Sequence, residues 1–235
     1  MTGVRADPPG DRFGLVFLLL ISTFVLGAVV TDPRGQAVVL VACLAALLLV
    51  LRVTTVRRGT WSLLRAASSA VSLGIVAMAL AAPGDATAAV LALWLAVVVA
   101  ATILAIVRRV LSHPAVTAQT VFGGLSAYLL IGFLFTGLYS AVAHLGSDSF
   151  FADGQPANSS TLQYFSFVTM TTTGYGDFTP AGSAPRSLAV LEALLGQIFL
   201  VTLVARLVAM FGQPRPVQRQ PPAAGSGAGI PAGDG

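Results

Sequence analysis

Apolar residues run along this chain in long, nearly unbroken stretches. They lack both the three-and-four spacing of a half-buried helix and the alternation of a half-buried strand. Six stretches, 13–30, 37–51, 61–82, 86–107, 117–143 and 187–211, come near the roughly 17–25 residues that cross a hydrocarbon core. The second is short for a span and the fifth is long enough to tilt. Turn signals separate them: Asp32-Pro33-Arg34-Gly35, Arg57-Arg58-Gly59, Pro83-Gly84-Asp85 and Ser112-His113-Pro114. The pattern predicts an all-α membrane protein with six transmembrane helices.

Composition removes the soluble alternatives. Of 235 residues, 56% are apolar and 9% charged, against roughly 25% charged in a soluble domain. All 13 basic residues are Arg, and the net charge is +4. They sort by side. With a cytoplasmic N-terminus, eleven fall inside (5, 12, 52, 57, 58, 65, 108, 109, 206, 215 and 219) and only Arg34 and Arg186 fall outside. Both termini are therefore expected in the cytoplasm, and the basic residues belong to membrane topology, not to a nucleic-acid surface. Residues 1–12 read as a cytoplasmic leader; Asp7 and Asp11 beside Arg5 and Arg12 argue for a retained first span over a cleaved signal. Residues 213–235, dominated by Pro, Gly, Ala and Ser, read as a disordered cytoplasmic tail with no ligand-binding domain. Cys43 lies within an apolar run and reads as a small hydrophobe.

One segment breaks the spanning pattern. Residues 162–180 read LQYFSFVTMTTTGYGDFTP. The first part, 162–171, is too short to cross but long enough for a half-helix, and Asn158-Ser159-Ser160-Thr161 before it offers capping side chains. The stretch after it holds Gly174 and Gly176 and cannot face lipid, because each unpaired backbone group there costs several kcal/mol. Irregular backbone is tolerated at that depth only when buried in protein or lining water. Glycine takes φ > 0 at little cost, and alternating it with other residues turns successive carbonyls to one side. Such a row can replace the water shell of a dehydrated cation, which is the established filter chemistry of potassium channels.

Thr172-Thr173-Gly174-Tyr175-Gly176-Asp177 closely resembles the TVGYGD signature of the potassium channel pore-domain family. The order of outer helix (117–143), pore helix (162–171), filter (172–176) and inner helix (187–211) is similar too, so the resemblance covers the pore domain 117–211. It implies stacked K⁺ sites from the carbonyls of Thr172, Thr173, Gly174 and Tyr175, with the Thr172 hydroxyl, closed by Gly176. It also implies assembly of this chain with three further copies of itself. Thr173 stands where the family more often has Val, and its hydroxyl needs a partner behind the filter. Val168 replaces the Glu of some members. Tyr164 and Phe165 replace a common Trp pair, and the Tyr164 phenol is expected to reach Asp177.

In the last stretch, Gly196 falls where the family's inner helix often bends, and is either that hinge or a close-packing site. Glu192 is the only acid within any stretch. An ionisable group there calls for a partner or water, so a hydrogen bond to the pore helix, through Thr169 or Thr173 for instance, is expected over a place near the outer mouth. Gln197, Leu200 and Val204 are expected to line the cavity below the filter. Arg206 is read as snorkelling without a function, and His113 and His144 as surface residues.

Four spans ahead of a pore domain match the layout of voltage sensors, but 86–107 holds no basic residue. The domain 13–107 is therefore read as an uncharged scaffold with a lipid-contact surface. The whole reads as a passive, potassium-selective channel of the plasma membrane, not an enzyme, with no cofactor beyond the conducted K⁺. The Arg-only basic content points to a bacterial source. The alternative is a modulatory or scaffold subunit of another channel.

Overall fold

A computed structural model of the chain describes residues 13–29, 41–42, 45–46, 69–75, 77–78, 81–82, 84–112 and 118–211. Most of the second expected span, half of the third, the leader, the tail, Cys43 and His113 lie outside these residues. Five helices are bounded within them: α1 (Phe13–Val29), α2 (Asp85–Ser112), α3 (Ala118–Leu145), α4 (Ser159–Met170) and α5 (Ser183–Phe211). Of these, α2, α3 and α5 are long and apolar enough to cross a membrane, and α1 is a shorter apolar helix.

The helix ends depart from the sequence expectation for local reasons. α2 continues past residue 107 because Arg109 favours the negative end of the helix dipole and the Arg206 guanidinium donates to the Val110 carbonyl at 2.7 Å. Arg206 thus ties the end of α2 to α5 and does not simply reach for the interface. α4 starts at Ser159, not 162, because Asn158 is its N-cap, its side-chain oxygen accepting from the Thr161 amide at 2.9 Å. α5 starts at Ser183, not 187. Gly182, at φ +59°, turns the chain, and Pro185 sits in the first turn, where its missing N–H costs nothing.

α3 is the hub and packs against α1, α2, α4 and α5. Lipid tails are as apolar as leucine, so close approach of small residues, more than escape from water, joins helices in a membrane. The glycines of α3 serve this purpose, one neighbour at a time. A Cβ on Gly123 would stand 2.9 Å from Val110 of α2, one on Gly124 2.6 Å from Leu203 of α5, and one on Gly132 2.6 Å from the Phe167 ring of α4. Around these contacts Leu20, Leu95, Val99, Leu130 and Phe133 form one buried cluster; Phe135, Tyr139, Phe151, Leu162 and Phe165 belong to a second.

α5 differs from the other long helices. Ile198, Val201 and Val208 are 62%, 64% and 65% exposed, an apolar face that no other described element covers. Replacing Gly132 by Leu should force the Phe167 ring away and lower the unfolding free energy of the detergent-solubilised protein by about 1–3 kcal/mol. Asp153→Ala, on the exposed loop, should leave the thermal melt unchanged. Equal melting curves for both variants would contradict the packing described.

Candidate functional site

The backbone after α4 is arranged by the carbonyls that the helix leaves open. The last carbonyls of a helix have no partner within it. Here Thr172 N donates to the Thr169 carbonyl at 2.9 Å, Thr173 N to the Val168 carbonyl at 3.0 Å, and Gly174 N to the same carbonyl at 3.4 Å. No described peptide is cis. In a trans peptide the carbonyl of one residue points opposite to the amide of the next. With the amides of 173 and 174 turned back to α4, the carbonyls of Thr172 and Thr173 must face away from it.

Backbone dihedrals continue the pattern. Thr172, Gly174 and Gly176 lie at φ +58°, +55° and +80°, so every second residue is left-handed. Glycine accepts this freely. Thr172 does not, and an L-residue there costs about 1–2 kcal/mol. The glycine signal in the sequence marks two of these positions and misses the third.

Side chains hold the outer end of the segment. Asp177 accepts at its carbonyl from Gln155 Nε2 at 2.8 Å, and at its carboxylate from the Phe178 amide at 3.1 Å and from the Tyr164 hydroxyl. The Thr173 hydroxyl finds its partner in Thr171, at 2.9 Å. The loop between α3 and α4 is fastened over α4 by Ala152 N to the Thr179 carbonyl at 2.9 Å and Ala181 N to the Phe150 carbonyl at 2.7 Å. Beneath it Phe151 stacks edge-on against Phe165 and Phe178, with ring centroids 5.6 and 5.0 Å apart.

Glu192 of α5 is fully buried at 0% exposure. Tyr139 of α3 donates to its Oε2 at 2.6 Å, and Ser166 of α4 lies 2.5 Å from its Oε1. The contact with α4 therefore runs through Ser166, not Thr169 or Thr173, and a tyrosine from α3 joins it. One turn on, α5 is continuous through Gly196, where a Cβ would stand 2.8 Å from Met170 Cγ and 3.0 Å from its carbonyl. In this conformation the glycine gives close packing against the end of α4. Gln197 Nε2 lies 3.5 Å from the Thr172 hydroxyl, at the lower end of the irregular segment. Leu200 and Val204 follow on the exposed side of α5.

Residues 125–213 match a family model described as an ion channel. The chain is also 33% identical over 87 residues to the inward rectifier potassium channel Kirbac3.1 of Paramagnetospirillum magnetotacticum. That stretch is 34% of this chain and 30% of the relative, so the chain spans under a third of the relative's length. Residues 125–213 are thus similar to ion channels over the stretch that holds α4, the irregular segment and α5.

Around this segment the sequence left several structural contacts unread. Gln163 Nε2 donates to the Phe24 carbonyl of α1 at 2.8 Å, and Ser160 Oγ to the Ala28 carbonyl at 3.1 Å, so the first helix lies directly on α4. Gly27 of α1 leaves the space that the Gln163 amide fills. His144 sits 3.1 Å from Asp85, joining the end of α3 to the start of α2. Two of these contacts end on a backbone carbonyl of an apolar residue, and nothing in the spacing of any of the three pairs its ends.

Gln155→Ala and Tyr164→Phe each remove one tie on Asp177. Each should weaken local protection of the 174–178 amides by about 0.5–1.5 kcal/mol, read by hydrogen exchange of the purified protein. Unchanged exchange in both variants would show that Asp177 is held by other means.

Proposed function

We propose that this chain is the subunit of a potassium-selective channel that conducts K⁺ passively. The observation that carries the reading is the backbone of 172–176. Alternate left-handed residues, with amides turned back to α4, leave a row of carbonyls free to face a common axis, in a segment that matches an ion channel family model. In this reading α4 is the pore helix and α3 and α5 are the outer and inner helices. The carbonyls of Thr172, Thr173, Gly174 and Tyr175 coordinate dehydrated K⁺. Gly176 completes the filter, and Asp177 and Tyr164 brace its outer end. Gln197, Leu200 and Val204 line the cavity beneath it.

One chain supplies one row, so a closed ring needs further copies. Residues 171–177 and the apolar face of α5 are both exposed in the single chain, and four copies about one axis would cover them. The homotetramer sits in the plasma membrane with both termini in the cytoplasm, in a bacterial cell. The pore domain extends over 117–211, and the preceding spans complete a six-helix subunit that packs against it and against lipid. The second reading, a modulatory subunit without autonomous conduction, predicts no current from the purified protein alone.

Purified protein in planar bilayers should pass current whose reversal potential follows the K⁺ gradient and ignores the Na⁺ gradient. Gly174→Ala should abolish that current without loss of membrane insertion. A reversal potential indifferent to K⁺ would overturn the assignment. Residues 86–107 of α2 carry no basic side chain, so little gating charge can cross the field. Open probability should therefore vary only shallowly with voltage, and a steep activation curve would show a sensor elsewhere in the chain.

A further inference from the structure

The cluster behind α4 contains more contacts than its obvious protons can fill. Tyr139 OH lies 2.6 Å from Glu192 Oε2, and Ser166 Oγ lies 2.5 Å from Glu192 Oε1. The same Ser166 Oγ lies 2.8 Å from the Gly132 carbonyl of α3. All three are of hydrogen-bond length for oxygen pairs. The lengths do not reveal where the protons are, but a count does. Tyrosine and serine hydroxyls bring one proton each, and a carbonyl brings none. Were Glu192 a carboxylate, three contacts would share two protons. Ser166 could then face Glu192 or Gly132 with its hydrogen, and the other pair of oxygens would meet with nothing between them.

From this count we infer that Glu192 is held as a neutral carboxylic acid which donates to Ser166, making Tyr139, Glu192, Ser166 and the Gly132 carbonyl one directed hydrogen-bond chain. Tyr139 donates to Glu192, Glu192 to Ser166, and Ser166 to Gly132. Every oxygen pair then contains one hydrogen, and each donor polarises the next. The groups facing the acid support this. Tyr139 and Ser166 touch it, Tyr128 of α3 lies within electrostatic range, and none of the three carries a positive charge to pair with a carboxylate. The chain joins α3, α4 and α5 at one buried point, one helical turn from where Gly196 meets the end of α4.

The consequence for conduction rests on the reading of α4 as a pore helix. Tyr139, Ser166 and Glu192 are then positioning residues that hold the filter's supporting helix against both spanning helices. They touch no ion. Glutamine reproduces the neutral acid: its amide donates to Ser166 and its carbonyl accepts from Tyr139. Leucine reproduces neither.

The proton is read directly by infrared difference spectroscopy of the full-length protein in lipid at neutral pH, wild type minus Glu192→Gln. The expected result is a carbonyl-stretch band of a protonated carboxylic acid that shifts in D₂O. A difference spectrum with carboxylate bands alone would overturn the inference, whether or not the protein conducts. For the functional arm, K⁺ flux from liposomes should be near wild type in Glu192→Gln and reduced about tenfold or more in Glu192→Leu. Ser166→Ala, which breaks two links and leaves a smaller, foldable side chain, should also reduce flux. Equal flux in Glu192→Leu and wild type would show that the chain positions nothing. Absence of K⁺ flux from the wild type itself, with the acid band present, would count against the pore reading and leave the protonated acid standing.

Discussion

Backbone amides and carbonyls that leave a helix inside a membrane must find partners within the protein, and the segment after α4 is organised around that requirement. Its amides do not seek solvent or a sheet partner. They return to the open carbonyls of Val168 and Thr169, which satisfies both the helix end and the first half of the irregular segment. The carbonyls are left facing the other way. In the proposed channel that leftover polarity is the function, because a cation entering the ring takes the place of the water that the carbonyls would otherwise need.

Everything around the segment supports a conformation the chain would not hold alone. Thr172 sits in the left-handed region, where an L-residue is unfavourable, and such a state persists only if its surroundings over-determine it. The ties come from every side: Gln155 and Tyr164 on Asp177, Thr171 on the Thr173 hydroxyl, and Gln197 beneath Thr172. Behind α4, contacts from α1, α3 and α5 converge through Gln163, Gly132 and Glu192. The helices can approach closely because α3 offers glycine where each neighbour arrives.

Much of this was legible in the sequence, for reasons that are local. Apolar run length revealed α1, α2, α3 and α5, and the Gly-Tyr-Gly motif located the irregular backbone. Asn158 and its neighbours announced a helix start, although only the cap geometry set it at Ser159. The burial of Glu192 followed from its being the sole acid in an apolar stretch, yet its partners did not. Tyr139 lies 53 residues away along the chain and looks like any aromatic in a span. Ser166 looks like a small residue on a short helix. The seat of α1 on α4 was equally invisible, since Gln163 and Phe24 are 139 residues apart and one of the bonding groups is backbone. The motif reports the chemistry of its own residues; the contacts that keep it in place are long-range and depend on how the helices cross.

The central claim is that the carbonyl rows of several chains converge on one axis, and subunit mixing tests it most directly. Wild-type chains co-reconstituted with increasing fractions of chains whose filter is disabled at Gly176 should lose K⁺ flux as the fourth power of the wild-type fraction. At equal amounts about one-sixteenth of the flux should remain, as expected for a ring of four in which every chain is needed. A loss in direct proportion to the wild-type fraction would mean that each chain works alone, and would contradict the account.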